Sequence, residues 1–191
     1  MDQMKSLKQL IAGRHTDKDT THSYADEYEK LFAPRRSSAL QVLEVGVCHG
    51  GSVLLWRDYF EGAEVTGVDL KLDLLRPPLS AGGANPPDRV RLIAGDAYSP
   101  QTIAALSDRL YDVAVDDGPH TLESMKTFAA SYAPLLAPGG VLVIEDVQDI
   151  AWVDQIRESF PEALRDRVRV VDLRGNKNRY DDILVVLDLL E

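Results

Sequence analysis

From residue 40 onward, short runs rich in β-branched residues alternate with amphipathic stretches of helical spacing, and this alternation limits the fold most tightly. The runs cover residues 40–45, 64–68, 90–93, 111–115 and 140–144. The stretches between and after them, 52–60, 101–110, 122–136 and 152–160, have the apolar spacing and length of helices. Strands separated by helix-length crossovers pair in parallel, with the helices covering the sheet faces. Two further runs, 168–172 and 183–187, flank Gly175-Asn176-Lys177-Asn178 and predict a terminal hairpin. Ser52 and Thr121 are the expected N-caps. Pro138-Gly139-Gly140 is expected to stop the longest helix and turn it into a strand. A chain of 191 residues suffices for one substantial core.

Two segments interrupt the rhythm. Residues 1–39 precede the first strand, and Tyr24, Tyr28, Leu31 and Phe32 fall on one apolar helical face. That face must pack on something, which predicts a helical cap or lid (1–39) over the sheet's carboxyl edge or one flank of a catalytic domain (40–191). Residues 72–88 carry Pro77-Pro78, Gly82-Gly83 and Pro86-Pro87, a composition that permits at most one helical turn. The expectation there is an irregular flap or a disordered loop.

The formal net charge of −10 argues against nucleic acid as a partner, because phosphate binding needs a basic face. Arg165, Arg167 and Arg169 read as a solvated face. A single cysteine, Cys48, excludes an internal disulfide. No apolar run reaches the length of a membrane span, and residues 1–13 lack the apolar centre of a signal peptide. The expected location is the cytoplasm, with no membrane partner.

Open α/β sheets bind ligands beyond the carboxyl ends of their strands. The first strand ends in Glu44-Val45-Gly46-Val47-Cys48-His49-Gly50-Gly51, where glycines permit a sharp turn and a close backbone approach to a ligand. Glu44 places a carboxylate just before that turn. Asp69 ends the second strand about 20 positions on, the place from which an acidic residue reaches ribose hydroxyls. Gly95-Asp96-Ala97 follows the third strand, within reach of an adenine amino group. The expected cofactor contacts are therefore Glu44, Gly46, Gly50, Ser52, Asp69, Asp96 and Ala97, with Tyr24 and Asp116 from the same edge. Carboxylates repel a pyrophosphate but accept a sulfonium and an α-amino group, which favours S-adenosylmethionine over NAD or ATP.

The fourth strand ends in Asp116-Asp117-Gly118-Pro119-His120 and the fifth in Glu145-Asp146-Val147. Neighbouring strands lie ~4.8 Å apart, so carboxylates at their ends can share a cation. Hard oxygen ligands around an open position suit Mg²⁺, with Asp117, Glu145 and Asp146 as expected ligands. A neutral hydroxyl is a poor nucleophile, and His120, three residues after Asp117, is the expected general base. His15, His22 and His49 read as hydrogen-bonding surface groups, and Cys48 has no base to activate it. The same residues also allow a metal-independent transfer to nitrogen or a phenol, or a non-catalytic adenosyl-binding module.

Taken together, Thr16-Asp17-Lys18, His22-Ser23-Tyr24, Tyr28-Glu29, Leu43-Glu44-Val45-Gly46, Gly50-Gly51-Ser52, Trp56, Asp116-Asp117-Gly118-Pro119-His120 and Glu145-Asp146 resemble the macrocin and mycinamicin type of sugar O-methyltransferases. The resemblance implies a Rossmann-like class I methyltransferase fold. Its sheet has seven strands, mostly parallel with an antiparallel last strand, and helices on both faces. It also implies Mg²⁺-assisted methylation of a sugar hydroxyl on a small antibiotic-like acceptor, with His120 as base and Asp117 and Asp146 as metal ligands. Pro119 stands where the family usually has serine. Tyr24, Asp149, Trp152 and Tyr180 are candidates to line the acceptor pocket, and a homo-oligomer is compatible with all of this.

Overall fold

The computed structural model describes residues 5–79 and 87–190. Seven strands form one sheet: β1 Gln41–Val45, β2 Glu64–Asp69, β3 Val90–Ala94, β4 Tyr111–Asp116, β5 Leu136–Ile144, β6 Val168–Asp172 and β7 Ile183–Asp188. Their spatial order is β3-β2-β1-β4-β5-β7-β6. The first five pair in parallel, and β7 runs antiparallel to both of its neighbours. The chain winds outward from β1 in one direction and then restarts at β4 on the other side. That reversal opens a crevice at the carboxyl ends of β1 and β4.

Side chains of a strand alternate between faces, and the core divides accordingly. On one face Val42, Val113, Val115, Val141 and Val143 join the N-terminal helices α1 (Leu7–Ile11) and α2 (Ala25–Phe32) and helix α3 (Gly51–Tyr59). On the other, Leu43, Val45, Ala114, Leu142 and Ile144 meet helices α5 (Leu122–Tyr132) and α6 (Val153–Ser159), with α4 (Pro100–Leu106) contributing Leu106. Helices thus cover both faces, as expected. The N-terminal segment shares the first of these clusters. Tyr24, Tyr28, Leu31 and Phe32 are all buried, and Tyr28 and Phe32 each meet Trp56 edge-on with ring centroids 5.4 Å apart. None of the helices among the described residues is long and apolar enough to cross a membrane.

Several local expectations need correction. Thr121 caps α5 reciprocally with Ser124, but Ser52 is not a cap. Gly50, at φ 82°, takes that position in α3, and Ser52 turns its hydroxyl inward. α5 ends at Tyr132, four residues early, because Pro134 disfavours helical geometry before it and a 3₁₀ turn follows. Pro138-Gly139-Gly140 lies within β5 and is not the stop. The terminal hairpin is present, although its connection is the helical turn α7 (Arg174–Lys177) closed by Asn178 at φ 56°.

Within 72–88, residues 72–79 are docked and do not form a free flap. Leu75 and Leu79 pack over Gly50, and Arg76 N–H donates to the His49 carbonyl at 3.2 Å. Residues 80–86 lie outside the described residues.

Candidate functional site

The crevice is a cavity of about 760 Å³, within the range of ordinary small-molecule sites. Gly46, Ser52, Asp69, Asp96 and Ala97 line it, as do Asp117 and His120. His15, Thr16 and Asp17 of the N-terminal segment close one wall. The glycine loop is held by Asp69, whose Oδ2 accepts the Val47 and Cys48 N–H groups at 2.8 and 2.9 Å. Asp96 Oδ1 accepts the Tyr98 N–H at 2.9 Å.

Gly46, at φ 88°, is where β1 turns beneath the fourth strand's loop. A Cβ there would stand 1.8 Å from the Asp117 carbonyl oxygen, a backbone atom that cannot swing aside. Gly46→Ala is expected to cost about 2–4 kcal/mol of stability in a urea titration. A variant within about 0.5 kcal/mol of wild type would show that the loop can yield.

The carboxylates divide by sheet face. Register pairs Val45 with Asp116 and Asp116 with Ile144, so Asp117 and Glu145 leave neighbouring strands at the same height. Glu44, Asp117 and Glu145 continue the rows of Val42, Val115 and Val143, on the face covered by the N-terminal helices. There they meet Lys18, which is wholly buried. Its Nζ lies 2.7 Å from Asp117 Oδ2, 2.7 Å from Glu145 Oε1 and 3.7 Å from Glu44 Oε1. Tyr28 Oη donates to Glu145 Oε1, and Ser52 Oγ donates to Glu44 Oε2 at 2.8 Å. Burial by itself would push the ammonium down, but the surrounding carboxylates outweigh it and hold Lys18 well above the ordinary lysine value. Burial pushes Glu44 up to about 7 against the pull of Lys18, and it raises Glu145 also.

Asp116 points to the opposite face. Its Oδ1 accepts Tyr98 Oη at 2.5 Å, and burial pushes its carboxyl up to about 7. Asp146 also departs from the strand, at φ 54°, and His120 sits at φ 53°. Left-handed backbone at non-glycine residues costs energy and clusters at ligand sites. Tyr24 Oη donates to Asp146 Oδ1 at 2.5 Å. Asp146 Oδ2 is left facing His120 Nε2 at 3.7 Å, with Asp117 Oδ1 at 3.8 Å from the same nitrogen. Burial raises the Asp146 carboxyl, and nearby Asp117 adds to the rise. Asp117, His120 and Asp146 bring one ligand atom each within 4.8 Å of one another. One oxygen of each carboxylate is thus fixed by a hydrogen bond while the other faces the cluster. Such a pair of carboxylate oxygens fits Mg²⁺.

The expected set is therefore only partly assembled. Glu145, expected beside Asp117 and Asp146, instead has its carboxylate engaged by Lys18 and Tyr28 on the buried face. Glu44, Gly50, Asp116 and Tyr24 do not line the cavity but support it. Glu44 braces Ser52, Gly50 starts α3 under Leu79, Asp116 holds Tyr98, and Tyr24 orients Asp146. His22, read as a surface group, is buried 3.4 Å from both Asp146 Oδ1 and Asp182 Oδ1. Lys18, Tyr28 and Tyr98 were missed as site residues. A lysine in an irregular polar segment reads as solvated, and only topology brings it under the sheet edge.

A model of the methyltransferase domain matches residues 43–147, more than half of the chain and the whole span from the glycine loop to Asp146. The chain belongs to this methyltransferase family. Among curated members, it is 33% identical over 152 residues to the 8-demethyl-8-alpha-L-rhamnosyl tetracenomycin-C 2'-O-methyltransferase of Streptomyces olivaceus. It is 28% identical over 144 residues to the mycinamicin VI 2''-O-methyltransferase of Micromonospora griseorubida. These alignments span 74% and 69% of this chain but only 38% and 33% of those proteins. The methyltransferase fold is found again in MycE of the mycinamycin biosynthetic pathway, solved with Mg and SAH. There the TM-score is 0.73 at 20% identity, over 97% of this chain and 55% of the other.

Proposed function

We propose that the chain is the catalytic part of an S-adenosylmethionine-dependent, Mg²⁺-assisted O-methyltransferase acting on a hydroxyl of a sugar-bearing small molecule. The observation that carries this reading is the meeting of His120 with the free oxygens of Asp117 and Asp146 at the rim of the cavity. The names of the relatives support it. One is a 2'-O-methyltransferase of a rhamnosyl tetracenomycin, and MycE was crystallised with Mg, SAH and mycinamycin VI.

In this reading Gly46, Ser52, Asp69, Asp96 and Ala97 hold the cofactor, whose sulfonium supplies the methyl group. Asp117 and Asp146 hold Mg²⁺, whose charge favours the ionised form of the acceptor hydroxyl. His120 accepts the hydroxyl proton. Tyr24 keeps Asp146 turned toward the ring. Cytoplasmic location and a lone small-molecule acceptor complete the proposal.

The test is a methyl-transfer assay against glycosylated polyketides, run in Mg²⁺ and after exhaustive chelation. Activity is expected to fall at least about 100-fold on chelation and to return with Mg²⁺. Full activity without the metal would overturn the cation's part. Transfer to an amine but to no hydroxyl would overturn the acceptor class.

A further inference from the structure

Lys18 is the one wholly buried ammonium among the described residues, and neither cofactor nor acceptor is needed to explain its contacts. Three carboxylates surround it at 2.7 to 3.7 Å, all on the inner face of β1, β4 and β5. It arrives on the turn between α1 and α2, where the Asp17 carbonyl accepts three N–H groups from residues 20–22. Tyr24 N–H donates to the Lys18 carbonyl at 3.0 Å, so the same turn leads directly to the tyrosine that orients Asp146. One oxygen of Asp117 is thereby committed to the ammonium while its other oxygen faces His120.

We infer that Lys18 is a positioning residue: a resident cation that fixes Asp117 and sets how strongly the Asp117–Asp146 site attracts a divalent ion. The inference rests on the reading of that site as a cation site. Two opposing effects follow from removing the ammonium. Loss of an orienting partner beside a ligand weakens metal binding by about 10- to 100-fold. Removal of a full positive charge a few ångströms from the ion strengthens it by more, since such a pair interacts by roughly a thousandfold in affinity at the effective dielectric of a protein interior. Charge wins, so the altered site binds its ion more tightly and holds it in the wrong place.

The experiment is isothermal calorimetry with Mn²⁺ at pH 8 on the full chain, without cofactor. Lys18→Met is expected to bind Mn²⁺ at least about tenfold more tightly than wild type. Lys18→Arg, which keeps the charge, should stay close to wild type. Glu44→Gln gives an independent measurement should Lys18→Met fail to fold. With one carboxylate fewer to neutralise it, the ammonium bears more on Asp117, and Mn²⁺ affinity should fall several-fold. Opposite shifts in the two variants support the role, and so does the Glu44→Gln loss alone if Lys18→Met is insoluble. Unchanged or weaker binding in Lys18→Met, or unchanged or tighter binding in Glu44→Gln, overturns it. A wild-type chain that takes up no Mn²⁺ overturns the cation site and this role with it. Wild-type binding with both variants unchanged overturns the role alone.

Discussion

His120→Ala is expected to slow methyl transfer by about 10²- to 10⁴-fold, the usual contribution of a positioned base. Affinity for S-adenosylhomocysteine should stay within about twofold, because His120 only borders the cavity and holds no part of the glycine loop. The ring's Nε2 lies between Asp117 Oδ1 and Asp146 Oδ2, so its loss removes the proton acceptor and leaves two carboxylate oxygens facing each other. A purely structural role would lower stability and cofactor affinity together. The two are separated by measuring kcat, the binding constant for S-adenosylhomocysteine and the urea midpoint on one preparation. His120→Asn keeps a polar side chain at the same place but cannot take up the proton, and it should be as slow as the alanine variant. An asparagine variant with more than about a tenth of wild-type kcat would assign the proton to another group.

The meeting of His120 with Asp117 and Asp146 was legible because its neighbours in sequence are also its neighbours in space. Asp117 and His120 share one strand-end loop, and a parallel register makes the end of β5 adjacent to the end of β4. The same period-2 logic tells Asp116 from Asp117 in principle, since successive residues face opposite ways. What it does not tell is which face holds the cavity. Glu44 and Glu145 were read as ligand contacts from their places at the strand ends, whereas the structure engages their carboxylates within the protein, Glu44 with Ser52 and Lys18 and Glu145 with Lys18 and Tyr28. The seven-stranded sheet with its antiparallel last strand was implied by the family resemblance and its strand order by neither signal, whereas the parallel strands, their helical cover and the hairpin of β6 and β7 follow from the alternation of runs. The end of α5 does not, because the glycine pair after Pro138 is a louder signal than Pro134. Lys18 was beyond local reasoning altogether. Its partners come from β1, β4 and β5, and the nearest of the three stands 26 positions along the chain.

The second large effect belongs to that lysine. Removing one partner of a buried charge cluster typically costs about 3–5 kcal/mol, because the groups left behind have neither water nor a counter-ion. For a chain of this size each kcal/mol lowers Tm by about 2–4 °C, so Lys18→Met should melt roughly 6–20 °C below wild type. The sign with pH is fixed by the direction of the shift. The folded-state value of Lys18 stands above its unfolded value near 10.5, so its stabilisation is complete below that pH and is lost as pH rises through the folded value. A comparison at pH 8 therefore reads the whole effect. Part of the loss should return in Mn²⁺, in proportion to the tighter binding expected of the variant, whereas wild type gains less. Lys18→Arg should fall between the two, since it restores the charge but must fit a planar fork where a compact ammonium sat. A Tm for Lys18→Met within about 2 °C of wild type would mean that the three carboxylates reach water or protons without help, and that the ammonium under β1, β4 and β5 is dispensable to the fold.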